Sequence, residues 1–103
     1  MTEPIRLSVE PALKALLPGF LANRRKDLEA INRALSSGNL EAIRVVGHNI
    51  HCFSRVYGFE DLTALGAEIQ QAAAEQSTLR IAHAQNQLAD YLSRIEFIEG
   101  DDA

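Results

Sequence analysis

The 103 residues carry ten Lys and Arg against fourteen Asp and Glu, a net charge of -4, with 47% hydrophobic and 6% aromatic residues. That length admits one domain, residues 1–103, and the acidic balance excludes a nucleic-acid surface built on a dominant basic stripe. The single cysteine, Cys52, excludes an intramolecular disulfide and any zinc finger or ribbon made from cysteine pairs, and a reducing cytoplasm is the expected setting.

At the N-terminus, Glu3 and the prolines Pro4, Pro11 and Pro18 interrupt the apolar stretch, so no signal peptide is expected. No apolar run reaches the roughly 18 residues of a membrane span, and the chain reads as soluble. Pro11 opens a short apolar segment, Ala12 to Leu17, expected as a short extra helix, and Pro18 stands where a first-turn proline is tolerated. A long helix follows to about Ser36. Its inward residues are Leu17, Leu21, Leu28, Ile31 and Leu35, with Arg24, Arg25 and Lys26 on a solvated face.

The Ser36-Ser37-Gly38-Asn39 cluster stops that helix, with Gly38 as C-cap and Asn39 as the next N-cap. A second helix from Leu40 to about Tyr57 points Ile43, Val46, Ile50, Phe53 and Tyr57 inward, and Gly58 ends it. A third begins after Phe59 and buries Leu62, Leu65, Ile69 and Ala73 before Gln76 and Ser77 break the pattern. Ser77 caps a fourth, with Ile81, Ala84, Leu88, Leu92 and Ile95 inward, and the tail 99–103 is expected to fray. No alternating β-branched run competes. The fold expected is all-α: an antiparallel up-down four-helix bundle with a short extra N-terminal helix.

The chemistry gathers on the second helix. At about 100° per residue, His48 points opposite the mean direction of Ile43, Val46, Ile50, Phe53 and Tyr57, and shares the solvent face with Glu41, Arg44, His51, Cys52 and Arg55. Two imidazoles and a thiol thus cluster at i, i+3 and i+4. A metal held by His48 with His51 or Cys52 is one use of that spacing, but no HExxH or ExxH motif supplies further ligands, and no resident metal is expected. Thiol catalysis by Cys52 needs a pocket and oxyanion donors that a convex helix does not offer. The third use is phosphoryl transfer, because a neutral imidazole is a competent nucleophile without a base and works while exposed.

The run Ile43-Arg44-Val45-Val46-Gly47-His48-Asn49-Ile50-His51, followed by Tyr57-Gly58-Phe59, resembles the signature of the histidine-containing phosphotransfer (HPt) domain. The likeness extends upstream through LPGFLANRRKDLEAINRAL and its SSGN break, and downstream through DLTALGAEIQQAA. It implies a four-helix phosphocarrier, not an autonomous enzyme, that accepts a phosphoryl group on His48 from a receiver-domain aspartate and passes it to another receiver. Its partners would be response-regulator receivers and a hybrid histidine kinase, with neither nucleic acid nor membrane. The chain itself would be monomeric and cytoplasmic, with no intrinsic cofactor and with Mg²⁺ supplied by the receiver.

The family places Lys three residues after the phosphorylated His and Gly four after it, with a helix-ending Gly at the tenth. Here these positions are His51, Cys52 and Gly58. His51 replaces a fixed charge with one present only when the ring is protonated, and Cys52 adds a side chain where a receiver would approach. Arg55, two turns on, or Arg44, one turn back, can supply the missing charge; Arg44, Cys52 and Arg55 form the expected docking face. The same departures suit a second reading, a degenerate HPt-like domain that binds a receiver or kinase as scaffold or competitor without being phosphorylated.

Overall fold

A computed structural model of the chain describes residues 3–99. Strand β1 (Ile5–Val9) leads into a 3₁₀ helix (Pro11–Leu16), then α1 (Leu17–Ser37), α2 (Leu40–Val56), α3 (Glu60–Ala74), α4 (Thr78–Arg94) and strand β2 (Ile95–Glu99). The four long helices form the all-α bundle, each packed on its sequence neighbour, with α1 closing the ring against α4. The short N-terminal helix is the 3₁₀ segment, which runs without a break into α1.

Local chemistry sets the helix ends. Gly38, at φ 73°, occupies the left-handed region that ends α1, and Asn39 then donates its backbone N–H to the Ala34 carbonyl at 2.8 Å. The Asn39 side chain accepts from the Ala42 N–H at 3.1 Å and so starts α2. Gly58, at φ 75°, turns the chain from α2 to α3. Ser77 starts α4 by accepting from the Arg80 N–H at 3.3 Å. Arg80 also reaches back to α3, where its Nε and Nη2 bond the two Glu68 carboxylate oxygens at 3.1 and 3.0 Å.

The core is aliphatic. Ile31, Ile43, Ile50, Leu62, Ile69, Ile81 and Leu88 are fully buried, one or two from each helix, and each such burial contributes about 1.5–3 kcal/mol. Phe20, Tyr57 and Phe59 close one end as an aromatic cluster with centroid separations of 4.7 to 5.5 Å.

Three expectations are corrected. First, two strands were not foreseen: Ile5–Val9 and Ile95–Glu99 pair in parallel, Ile5 opposite Ile95 and Val9 opposite Glu99. Ile5-Arg6-Leu7-Ser8-Val9 is an alternating run whose apolar members face the bundle, and it sits too close to Pro4 and Pro11 to be helical. Ile95 therefore begins a strand instead of ending the fourth helix, and of the tail expected to fray, residues 100–103 lie outside the described residues while Glu99 belongs to β2. Second, Arg24 is not on a solvated face. It is 4% exposed, its Nε bonded to Asp27 at 2.7 Å and its guanidinium lying over the rings of Phe20 and Phe53 at 5.0 and 5.5 Å. Third, Phe53 is not core: it is 53% exposed and covers Arg24 from outside.

The third correction has one cause. The buried residues of α2 are Ile43, Gly47, Ile50 and Ser54, so the helix is turned about 50° from the orientation that apolar side chains alone imply. Gly47 and Ser54 occupy the buried stripe, Val46 packs half-buried at its edge, and Phe53 falls outside it. At Gly47 an added Cβ would stand 2.5 Å from the Gln70 backbone nitrogen and 2.9 Å from the Gly66 carbonyl oxygen. At Gly66 it would stand 2.4 Å from the His51 nitrogen and 2.8 Å from the Gly47 oxygen. The α2 and α3 backbones thus meet directly at a glycine pair, one residue before His48.

Candidate functional site

The Gly47–Gly66 contact fixes what α2 presents. With its backbone pressed on α3, α2 carries His48 on the α3 side of its outer surface, exposed, with Glu41, Cys52 and Arg55 also exposed and Arg44 and His51 half-buried. The six polar residues read as one face from the sequence therefore do share a face, but it is turned toward α3 and grades from solvent to seam.

His51 is at the seam. Its Nδ1 lies 3.1 Å from the carbonyl oxygen of Thr63 on α3, whose own hydroxyl donates to the Phe59 carbonyl at 2.8 Å. A carbonyl can only accept, so the Nδ1 of His51 carries the proton and the Nε2 is left as the free position. One nitrogen of this ring thus fastens α2 to α3.

His48 and Cys52, one turn apart, are in contact through Nε2 and Sγ at 3.5 Å. When the thiol donates, the Nε2 of His48 holds a lone pair and Nδ1 holds the proton, the neutral tautomer that a nucleophilic imidazole requires. Arg44 is occupied: its Nε bonds the Glu41 carboxylate at 2.9 Å and its Nη2 takes the second oxygen. That pairing holds the Glu41 carboxyl below, and the Arg44 guanidinium above, their ordinary ranges. Arg55, by contrast, has no ion-pair partner among the described residues. Of the two arginines, it is the cation free to meet an incoming anion.

The other border of His48 is apolar. Val45, Cys52 and Val56 follow one another at seven and four residues along the outermost line of α2, with Val45 43% and Val56 72% exposed. Phe53 extends this surface toward α1. The sequence reading named Cys52 and placed Phe53 in the core, but missed Val45 and Val56 because it sorted α2 into an apolar core face and a polar outer face. The i, i+7, i+11 spacing of Val45, Cys52 and Val56 on the side away from Ile43 and Ile50 was the available signal. Exposed aliphatic residues beside a reactive side chain on a convex helix suit contact with another protein surface better than capture of a small molecule.

Among the described residues no three His, Cys, Asp or Glu side chains converge as a group able to enclose a metal ion, and no helix is long and apolar enough to cross a membrane. No family model, curated protein or solved structure matches the chain.

Proposed function

We propose that the chain is a phosphorelay intermediate that accepts a phosphoryl group on His48 from a receiver-domain aspartate and passes it to another receiver. The observation that carries the reading is the placement of His48: exposed on a helix that the Gly47–Gly66 contact and the His51–Thr63 bond hold against its neighbour. A nucleophile so held lets the partner bring the geometry of the reaction, and rigid presentation is this chain's contribution.

In the step proposed, the Nε2 lone pair of His48 attacks the phosphorus of an aspartyl phosphate. The N–P bond forms as the P–O bond to the aspartate breaks, the carboxylate leaves as the anion, and Nδ1 keeps its proton. The Mg²⁺ that screens the transferring phosphoryl oxygens belongs to the receiver. Arg55, two turns along α2 and unpaired among the described residues, offers a fixed positive charge toward the phosphate. His51 can add charge through its free Nε2 when protonated. Val45 and Val56 supply apolar contact for the docked receiver. The domain does no chemistry alone, and in this role it is a carrier and not an enzyme.

The reading is tested by incubating the chain with phosphorylated receiver domains and Mg²⁺ and following acid-labile label. Label is expected on the wild type and absent from His48→Ala, with transfer slowed in Arg55→Ala. A second reading, the degenerate domain that binds a receiver or kinase without accepting phosphate, is favoured by one contact: the Cys52 thiol stands against the nitrogen that must attack. Receiver binding with no label on the wild type, and label on Cys52→Gly, would select it.

A further inference from the structure

We infer that the groove between α1 and α2 binds a small organic monocarboxylate, one planar anion on an apolar body, through the guanidinium of Arg24. The groove has a volume of about 310 Å³, at the small end of the range of about 300–1,000 Å³ that ligand pockets occupy. Leu16 and Phe20 wall it from the α1 side and Phe53 and Tyr57 from the α2 side, with Arg24 beneath them.

Arg24 carries donors that the fold does not use. The residue is 4% exposed, and Asp27 takes its Nε at 2.7 Å. Nη1 and Nη2 have no hydrogen-bond partner among the described residues. Neither is sealed from solvent, because among the described residues the sealed and unpartnered side-chain atoms are Ser54 Oγ and Tyr91 Oη. What little surface Arg24 exposes therefore includes these two nitrogens, and it opens on the groove that the residue lines. A buried cation with unmet donors at the base of a concave surface calls for an anion.

The shape and charge of the site select the anion. With Nε held by Asp27, the guanidinium is fixed and presents its Nη1 and Nη2 end, a fork that fits the two oxygens of one carboxylate. Arg24 is the one charged residue lining the groove, whereas its neighbours Arg25 and Lys26 are exposed and do not line it. A single buried charge suits a monoanion better than a phosphate dianion. The Phe20 and Phe53 rings, 5.0 and 5.5 Å from the guanidinium carbon, keep water from its surroundings and strengthen the pairing. Leu16 and Phe53 are 55% and 53% exposed at the mouth of the groove, and the apolar body of the ligand would cover them.

Phe53 also extends the apolar surface beside His48. On the relay reading, a ligand held under Phe53 would alter how a receiver docks; that consequence rests on the reading, while the site itself does not.

The test is a titration of the nitrogen-15-labelled full-length chain with phenylacetate and, separately, with its neutral analogue phenylacetamide, followed by NMR. Phenylacetate should give saturable shifts at Gly19, Asn23, Arg24, Phe53 and Tyr57, with an affinity at least about tenfold above that of the amide. Arg24→Met should abolish this preference, whereas Phe53→Ala should weaken both ligands and preserve it. No saturable shift at the groove, equal affinity for acid and amide, or a preference that survives Arg24→Met would each overturn the inference. Broadening of the groove signals with protein concentration, without a response to phenylacetate, would overturn it in favour of a second copy of the chain. The titration involves neither receiver nor phosphate, so its failure leaves the relay reading standing, and failure of phosphoryl transfer leaves the carboxylate site standing.

Discussion

Substituting Gly66 by alanine should destabilise the protein although it improves local helix propensity. In a solvent-exposed helix interior, glycine to alanine gains about 1 kcal/mol. At Gly66 the new Cβ would lie 2.4 Å from the His51 nitrogen and 2.8 Å from the Gly47 oxygen, whereas ordinary contact begins near 3.4 Å. Both obstructing atoms are backbone, so no side chain can swing away and α3 must retreat from α2 by up to about 1 Å. Overpacking of this kind costs about 1–3 kcal/mol or more, and separating the longest seam of the bundle argues for the upper end. Net of propensity, the loss should be about 1–2 kcal/mol, a fall in Tm of roughly 4–16 °C for a domain of this size. Gly19, on the exposed side of α1 with nothing within 4 Å of its Cβ position, is the internal control, and Gly19→Ala should raise Tm. Thermal denaturation monitored by circular dichroism reads both. Stabilisation by Gly66→Ala would refute direct backbone contact between α2 and α3, and with it the orientation given to His48.

Asn39→Ala removes the acceptor for the Ala42 N–H and should cost about 1 kcal/mol, with amide exchange accelerating first in the opening turn of α2. Ser54→Ala deletes a buried hydroxyl that has no partner among the described residues, so stability should hold or rise by up to about 1 kcal/mol; a clear loss on urea denaturation would show that Oγ has a partner. Asp27→Ala strands the buried Arg24 guanidinium and should cost about 1–3 kcal/mol, whereas Arg24→Met, which removes the buried charge and keeps its volume over Phe20, should be near neutral in the same assay. Burial holds the Asp27 carboxyl above the ordinary aspartate range against the opposing pull of Arg24. A raised carboxyl pKa favours folding most at acid pH, and that contribution is lost as pH rises through the folded value. Asp27→Asn should therefore flatten the stability profile just above the ordinary aspartate pKa.

The four helices were legible because their boundaries are written in local chemistry. Gly38, Asn39, Gly58 and Ser77 end or start helices through their own backbone or side-chain bonds, and the isoleucine and leucine spacing does the rest. The rotation of α2 was not legible, because hydrophobic periodicity gives no weight to Gly47 or Ser54, although both are buried and Gly47 is where α3 comes close. The same blindness put Phe53 inside and Arg24 outside. An arginine can be buried when a carboxylate one turn away and two aromatic rings receive it, and that arrangement depends on α1 meeting α2. The strands escaped notice because a five-residue run between prolines pairs with a partner at the other end of the chain. At the candidate site, residue identities and their common face were readable. The fastening of His51 to Thr63 was not, since it joins residues on different helices.

The central claim is that His48, and no other histidine, receives phosphate through the nitrogen that faces Cys52. Nitrogen-15 NMR of the chain after transfer from a phosphorylated receiver tests it directly. The account predicts a phosphorus-coupled shift at the Nε2 of His48, with the rings of His51 and His83 unmodified. Phosphorylation at another histidine, or none at any ring under conditions where the receiver binds, would contradict it.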